Sequence, residues 1–371
     1  MRVVAAPAPF KAALGPADAA EAIAVGARLA GAEVVEVPVA DGGEGTLDAL
    51  VAAGGGRIIE APAHDPLGRP ITAAFGMLPD GTAVVELAQA SGYERLADHE
   101  RDPEATTTAG TGDLIRAALD AGCARVIVGV GGSATTDGGL GLAIALGARA
   151  LDDNDEPLAG IGGALSRVRR VDLSGLDARL AAVPIDVACD VTSPLTGPEG
   201  SAAVFGPQKG ATPEGVERLE EGLTNLAAVL AAQGLPDIAD MPRAGAAGGA
   251  AGGMLAMLGA ALTDGGALVT RAAGLSAALE GADVCITGEG RLDMQTLTGK
   301  APAAVAAACA EAGVPCVGLF GQVDVAPGIA RRKGLVAALP LRRGPPPLPE
   351  ALAATADDLA AAAAAVVALR G

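Results

Sequence analysis

Short runs of branched apolar residues alternate with longer stretches rich in alanine and leucine along most of the chain. The first of these runs predict a strand at 2–6, a helix at 16–29 and a strand at 33–39. The same rhythm returns in the last third, where "ADVCITGEG", "VPCVGLFG" and "LVAALPL" each predict a strand followed by a helix. Alternation of this kind is typical of βα units around a parallel sheet, so the predicted fold class is α/β.

The middle of the chain departs from this rhythm. Residues 58–87 contain three apolar runs separated by Asp65-Pro66 and Asp80-Gly81, which predict a small antiparallel patch. Further elements are predicted as helix 111–121, strand 125–130, helix 139–148, strand 184–189, helix 213–233 and a helix from about 250. We therefore expect a discontinuous Rossmann-like parallel-sheet domain, residues 1–62 plus 262–371, with a second α/β domain, residues 63–261, inserted into it. The stretch "RRGPPPLP" at 342–349 is the predicted linker.

Composition limits the class of partner. The chain has 371 residues, half of them apolar, and a net charge of −18, which argues against nucleic acids and anionic membrane surfaces as partners. The five cysteines lack C-x-x-C spacing and lie mostly in apolar runs, which favours buried thiols in a reducing cytosol over disulfides or zinc. We predict a cytoplasmic protein that acts on small molecules, and assembly into a homo-oligomer stays open.

A glycine-rich turn, "VGVGGSATTDGG" at 128–139, follows a predicted strand and precedes a predicted helix. Gly129, Gly131 and Ala134 fit the G-x-G-x-x-A pattern of dinucleotide-binding folds, and acids follow about twenty residues later. An NAD-dependent oxidoreductase is therefore one candidate, and a phosphate-binding loop of a kinase is the other. Glycines in the first turn of the following helix would weaken it by about 1 kcal/mol each, which argues against the dinucleotide fold.

Lysine is rare in this chain, which has 22 arginines and four lysines: Lys11, Lys209, Lys300 and Lys333. Lys11, Lys209 and Lys300 stand beside glycine turns or a strand end, where a compact ammonium can reach a phosphate. The P-loop pattern fails at Lys300, because Met294 replaces its first glycine and Ala301 follows the lysine.

Acidic residues recur in glycine-bounded turns at the ends of predicted strands. They are Asp41, Glu44, Asp137, Asp190, Glu289 and Asp293. The carboxyl ends of strands are where open α/β sheets bind ligands, and carboxylates there suit Mg²⁺ or a base for a substrate hydroxyl. His64 and His99 stand in polar stretches without a partner motif, so no histidine-based mechanism is predicted.

Taken in order, the motifs resemble those of the type-1 glycerate kinases. They are "VADGGEGT" (39–46), "DPLGR" (65–69), "ELAQASG" (86–92), "RDPEATTTAGTG" (101–112), "GGSATTDGG" (131–139), "ACDVTSPLTG" (188–197), "FGPQKGAT" (205–212), "GAAGG" (245–249) and "ITGEGRLDMQTLTGK" (286–300). The resemblance extends from residue 1 to about 340. It implies phosphorylation of D-glycerate by ATP with Mg²⁺, usually to 2-phosphoglycerate, on a Rossmann-like domain with an inserted α/β domain.

We combine the resemblance with the chemistry of the residues to assign roles. Asp190 is the predicted base, Lys209 and Lys300 are assigned to phosphate, and Arg291 to the glycerate carboxylate. The predicted substrate- and nucleotide-binding residues are Lys11, Gly131, Gly132, Ser133, Thr135, Asp137, Gln208, Thr287 and Glu289. The predicted Mg²⁺ ligands are Asp41, Glu44 and Asp293.

One departure from the family pattern bears on activity. The family opens with "APDSFKGSLSA", whereas this chain has "APAPFKAALGP", so that Ala8 and Pro9 replace Asp-Ser. A carboxylate is therefore missing at the end of the first strand, beside the retained Lys11. The sequence accordingly leaves a catalytically weakened or non-catalytic relative as an alternative.

Overall fold

The computed structural model describes residues 1–294, 296–341 and 348–369. Its strands are β1 Arg2–Pro7, β2 Glu33–Glu36, β3 Arg57–His64, β4 Pro70–Met77, β5 Thr82–Glu86, β6 Arg125–Gly129, β7 Arg149–Leu151, β8 Pro157–Leu158, β9 Arg170–Asp172, β10 Ile185–Cys189, β11 Ala261–Asp264, β12 Val284–Leu292, β13 Cys316–Val323 and β14 Leu335–Pro340. Its α-helices are α1 Pro16–Leu29, α2 Thr46–Gly54, α3 Ala88–Ser91, α4 Ala109–Asp120, α5 Leu140–Ala145, α6 Ser201–Phe205, α7 Pro213–Ala232, α8 Ala250–Leu258, α9 Gly265–Ala272, α10 Leu275–Leu279, α11 Ala301–Ala312, α12 Pro327–Arg332, α13 Leu348–Ala353 and α14 Thr355–Ala368.

The chain divides into two compact units. Unit 1 comprises Met1–Asp41, Gly45–Gly56 and Asp264–Gly371, and unit 2 comprises Gly42–Glu44 and Arg57–Thr263. The predicted boundary after residue 62 falls inside β3, all of which pairs with β4 in unit 2. The domain division drawn from the sequence stays a prediction. Residues 342–347 of the predicted linker lie outside the described residues.

Unit 1 is built on a parallel sheet in the order β14-β13-β12-β1-β2. Helices α1 and α14 cover one face, where alanine-rich surfaces pack against alternate residues of β1, β12 and β13. Gly26 explains how close the two helices come, because a Cβ there would lie 1.8 Å from the Ala360 carbonyl oxygen. Helix α11 packs against β12 and β13. Since strand side chains alternate in direction, α11 meets the residues that point away from α1.

Unit 2 contains a mixed sheet in the order β11-β10-β6-β5-β4-β3. The predicted antiparallel patch is confirmed for β3, β4 and β5, but β5 also pairs in parallel with β6, which joins the patch to the parallel strands. A small antiparallel sheet, β8-β7-β9, was not predicted. It includes Asp152–Glu156 as a hairpin turn, in which Asp152 Oδ1 accepts hydrogen bonds from the backbone of Asn154 and Glu156. Asp152 directly follows β7.

Helix α7 forms as its sequence dictates. Thr212 caps its N-terminus by accepting a hydrogen bond from the Gly215 N–H, and Pro213 occupies the first turn, where no intrahelical donor is needed. The residues of its apolar stripe recur at helical spacing and are fully buried: Leu219, Leu223, Leu226 and Leu230. Among the described residues, the helices are all too short or too polar to cross a membrane.

Candidate active site

The glycine-rich loop after β6 is a long connection. Strand β6 ends at Gly129, and α5 begins at Leu140, after Gly139 in the left-handed region with φ 74°. In a dinucleotide-binding fold the helix begins within the glycine motif, so that the pyrophosphate binds at the helix N-terminus. This loop does not have that form, which weakens the NAD-dependent alternative.

Position 131 requires glycine because its backbone is in close contact with another backbone segment. The Gly131 N–H donates to the Gly42 carbonyl oxygen at 3.0 Å, and a Cβ at this position would lie 2.3 Å from Gly43 Cα. The motifs "ADGGEG" and "GGSATTDGG" therefore meet within unit 2 through their glycines. Backbone exposed in this way can approach a ligand closely.

Asp137 is a buried hub of the same loop. Its carboxylate is 0 % exposed and accepts four hydrogen bonds, from the Thr108 N–H at 2.7 Å, the Thr108 hydroxyl at 2.8 Å, and the Gly139 and Gly141 N–H groups at 3.1 and 3.2 Å. Burial raises the pKa of Asp137, and these hydrogen bonds oppose the rise. Asp137 thus holds the loop through its hydrogen bonds, and its assignment to ligand binding stays a prediction.

Lys209 lies beside this loop and is 4 % exposed. It ends a short 3₁₀ turn, Pro207–Lys209, and its Nζ donates to Ser133 Oγ at 2.7 Å and to the Thr135 carbonyl oxygen at 2.6 Å. Burial lowers the pKa of Lys209 to about 7, and the negative charge of Asp137 opposes that fall. An anion bound beside Nζ would favour the protonated form of Lys209, so this environment suits an anionic ligand.

Ser133 and Lys209 line a pocket of about 460 Å³ in unit 2. Six of the predicted site residues meet there: Gly131, Gly132, Ser133, Asp190, Gln208 and Lys209. Asp190 is exposed and directly follows β10, as a residue at the carboxyl end of a parallel strand should be. The volume of the pocket is in the range of small-molecule sites, which commonly span about 300–1,000 Å³.

The pocket also contains residues that were not predicted. Tyr93, the one tyrosine of the chain, lines it and stacks under the Arg101 guanidinium, whose carbon lies 3.6 Å from the ring centre. That rarity was a signal available in the sequence. The Thr135 and Thr136 hydroxyls are buried and make no hydrogen bond among the described residues. Thr135 itself was predicted to bind ligand, and in the structure its carbonyl holds Lys209.

A second group of predicted residues lies in unit 1, around the end of β12. Burial raises the pKa of Glu289; the Thr296 hydroxyl and Lys300 oppose the rise, whereas Asp41 and Asp293 add to it. Thr296 donates to Glu289 and its N–H donates to Asp293 Oδ1 at 2.9 Å, which holds the turn after β12. Three carboxylates in one electrostatic neighbourhood are the donors that a hard cation prefers.

The predicted Mg²⁺ ligands come from both units of the chain. Asp41 and Asp293 share the neighbourhood of Glu289, but Glu44 belongs to a segment that groups with unit 2. Among the described His, Cys, Asp and Glu side chains, no three carboxylates have ligand atoms within 4.8 Å of one another. Mg²⁺ usually takes one or two carboxylates and completes its shell with water and phosphate oxygens, so the residues present fit it in that form.

The remaining predicted residues of unit 1 are placed as follows. Arg291 is exposed and its Nε donates to Asp324 Oδ2 at 2.5 Å. Lys300 directly precedes α11 at its N-cap position, and Lys11 is exposed in the turn after β1. Thr287 is 0 % exposed and donates to the Ala6 carbonyl oxygen at 2.8 Å, so its hydroxyl joins β12 to β1.

His64 is not the loop residue that its polar neighbours suggested. It ends β3, and its Nδ1 lies 2.7 Å from Asp113 Oδ2, while Asp113 also accepts from Arg116 at 2.6 Å. The histidine thus has a partner, which the sequence hid because Asp113 lies 49 positions away. Neither residue lines the pocket of unit 2.

Fold and site together define an α/β enzyme with an anion-suited pocket at strand ends. A family model described as the glycerate kinase family matches residues 3–370, and the chain belongs to that family. The glycerate kinase of Bacillus subtilis is 44 % identical over 371 residues, covering 97 % of each chain. The glycerate 2-kinase of Escherichia coli is 41 % identical, covering 97 % of this chain and 95 % of that one.

The fold is also that of a solved relative. A crystal structure of a Salmonella typhimurium LT2 protein named as glycerate kinase 2 superimposes with a TM-score of 0.89 at 43 % identity, covering 100 % of this chain and 98 % of the other. The predicted family, the α/β fold class and the predicted kinase class of enzyme are confirmed.

Proposed function

We propose that this protein transfers the terminal phosphoryl group of ATP to the 2-hydroxyl of D-glycerate, with Mg²⁺ as the supporting cation. Family membership supports glycerate as the substrate, and the relative from Escherichia coli is named a 2-kinase. The observation that carries the proposal is the pocket of unit 2, where a carboxylate, Asp190, and a buried ammonium, Lys209, line the same cavity.

Phosphoryl transfer asks a protein mainly for positioning and charge neutralisation. In the proposed reaction Asp190 accepts the proton of the glycerate hydroxyl. Lys209, fixed by Ser133 and by the Thr135 carbonyl, attracts an anionic group of the substrate or of the transferred phosphoryl. The Gly131 and Gly132 backbone adds close approach without a side chain in the way.

The acidic group of unit 1 supports the proposed cation requirement. Glu289 stands near Asp41 and Asp293, and mutual repulsion among the three carboxylates falls when a cation is bound. Mg²⁺ supplies neutralisation of phosphate charge when bound. We propose Glu289 and Asp293 as its protein ligands with Asp41 nearby, Lys300 as a phosphate contact, and Arg291 as the contact of the glycerate carboxylate.

Product identity is the first test. Purified protein is incubated with ATP, Mg²⁺ and D-glycerate, and the phosphorylated carbon is assigned by ³¹P and ¹³C NMR. We expect 2-phosphoglycerate, with turnover lost when Mg²⁺ is chelated. Formation of 3-phosphoglycerate would contradict the proposed position of transfer, and NAD-dependent oxidation of glycerate would contradict the kinase assignment.

The base assignment is tested with a matched pair on β10. Asp190→Asn should lower kcat by about a hundredfold or more while nucleotide binding changes little, because a base acts only in the chemical step. Asp186→Asn removes a carboxylate from the same strand, where it pairs with Arg125 at 2.7 Å and does not line the pocket. Equal losses in the two variants would show that Asp190 is not the base.

Ala8 favours a second candidate, a weakened relative of the active kinases. It directly follows β1, is 3 % exposed, and donates its N–H to the Gly288 carbonyl oxygen at 2.8 Å. If an acid here oriented ligand, the double change Ala8→Asp, Pro9→Ser should raise kcat by about three- to a hundredfold. An unchanged rate in a folded, ATP-binding variant would show that Ala8 is no defect.

A further inference from the structure

Three of the five cysteines meet in the interior of unit 1. Their Sγ atoms all lie within 4.8 Å of one another, although the residues come from three elements: Cys285 on β12, Cys309 on α11 and Cys316 on β13. Cys285 and Cys309 are 0 % exposed, and Cys316 is 1 % exposed. Among the described His, Cys, Asp and Glu side chains, this is the group of three whose ligand atoms lie that close.

The topology explains the meeting. Cys285 and Cys316 are register partners on neighbouring parallel strands, so their side chains leave the sheet on the same face. Helix α11 connects these two strands and packs back on them, which places Cys309 over the pair. The cluster is therefore built by one βαβ unit and requires no other part of the chain.

We propose that Cys285, Cys309 and Cys316 form a binding site for one thiophilic divalent cation of filled d shell, Zn²⁺ or Cd²⁺. Thiolates select such soft or borderline ions over Mg²⁺. With metal–sulfur bonds of about 2.3 Å, three sulfurs arranged trigonally around an ion lie about 4.0 Å apart. The side chains therefore need to close by less than about 1 Å.

Charge sets the protonation of the bound form. Two thiolates and one thiol around a divalent cation make a neutral site, whereas three thiolates leave one negative charge in an apolar core, which is costly. Binding therefore releases two protons to solvent, as the two thiols exchange their S–H bonds for bonds to the metal.

Occupancy would stabilise the part of unit 1 that carries the proposed cation and phosphate contacts. Strand β12 continues to Glu289, and Lys300 precedes α11. An ion that joins β12, β13 and α11 binds the folded state in preference to the unfolded chain, and thus raises the temperature at which unit 1 unfolds. The site would act on stability and not on the chemistry of phosphoryl transfer.

The test is a titration of reduced, metal-free full-length protein with Cd²⁺ alone, followed by the ultraviolet thiolate-to-cadmium absorption band. We expect one Cd²⁺ per chain retained after desalting and release of about two protons. The band should be lost in Cys309→Ser and kept in Cys189→Ser, which removes a buried thiol from unit 2. No band, or loss of the band in Cys189→Ser alone, would overturn the proposal.

A second measurement needs no substitution in the cluster. The wild-type protein is pulse-labelled with a maleimide in moderate urea, with and without Cd²⁺ or Zn²⁺, and each cysteine is quantified by mass spectrometry. Labelling of the three clustered cysteines should slow at least about tenfold with metal, while Cys123 and Cys189 keep their rates. Equal protection of all five thiols, protection by Mg²⁺, or loss of clustered thiols to a disulfide without metal would each contradict a metal site.

Discussion

Lys209→Met should change how the stability of unit 2 depends on pH. Lys209 has a pKa of about 7 in the folded protein, below the 10.5 of an unperturbed lysine, because burial disfavours its charged form. Between these two values the unfolded chain binds more protons than the folded protein. Stability therefore rises as the pH rises through this window, and the contribution of Lys209 is least favourable below its folded pKa.

The magnitude follows from one proton. A single group that is protonated only in the unfolded chain contributes about 1.4 kcal/mol per pH unit, or about 2 kcal/mol between roughly pH 7.5 and 9. Methionine has a similar length and cannot titrate, so the variant should lose this slope. The Thr135 carbonyl also loses its donor in the variant, but that cost does not depend on pH. The slope thus separates the two effects.

The chain supplies its own probe for the assay. It has one tyrosine and no tryptophan, and Tyr93 belongs to unit 2, so tyrosine fluorescence in a urea titration follows that unit alone. Lys333→Met, which removes an exposed lysine of unit 1, controls for the loss of one positive charge. A slope that is the same in wild type and Lys209→Met would refute the desolvated lysine and with it the electrostatic reasoning for the pocket.

Three further predictions concern the loop and the acidic group. Asp137→Asn should destabilise unit 2 by about 3 kcal/mol in the same fluorescence assay, because an amide cannot accept from all the donors that surround the carboxylate. Gly131→Ala should disrupt the native loop, since the Cβ of alanine would meet the Gly43 backbone. The expected readout is that ligand no longer changes the fluorescence of Tyr93. Glu289→Gln should lower kcat/KM about a hundredfold. In the metal-free protein the raised pKa of Glu289 lets protons compete with Mg²⁺ at a higher pH than at an ordinary carboxylate, so activity at limiting Mg²⁺ should fall as the pH falls, and that limb should vanish in the variant.

Each of these has a result that would contradict it. Stability within about 0.5 kcal/mol of wild type in Asp137→Asn would mean that the four hydrogen bonds do not hold the loop. Gly15→Ala is the control for a glycine substitution, because its Cβ would meet no atom closer than 3.7 Å. If both Gly131→Ala and Gly15→Ala failed to fold, the effect of Gly131→Ala would not be due to its contact with the Gly43 backbone. An unchanged pH profile in Glu289→Gln would assign the acidic limb to another group.

The fold was predictable where an element has a strong period of its own. The predicted helix 213–233 corresponds to α7, because its leucines recur at helical spacing and Thr212 with Pro213 marks its start. The sheet β8-β7-β9 was not predicted, because its strands have only two or three residues, too few to show an alternation of apolar and polar positions. The parallel pairing of β5 with β6 was not predicted either, because the two strands are more than 35 residues apart in the sequence and local patterns do not show which strands pair.

The pocket residues were predictable when chemistry and strand ends coincided. Asp190 follows a buried strand, and Lys209 is a lysine beside a glycine turn in a chain that otherwise prefers arginine. Asp137 and Thr287 have the same sequence context, yet both are fully buried and satisfied by neighbours. Local sequence does not distinguish a carboxylate or hydroxyl that faces a ligand from one that holds a loop.

The sequence by itself determined the family, the α/β alternation and the expectation that the cysteines are buried, because composition, periodicity and motif order are properties of the chain alone. Only the tertiary structure decided that Cys285, Cys309 and Cys316 meet, while Cys123 and Cys189 lie in the other unit. The physical reason is that periodicity records which face of an element is buried. It carries no record of which distant faces share the same interior, since that depends on strand register and on the return of α11 across β12 and β13.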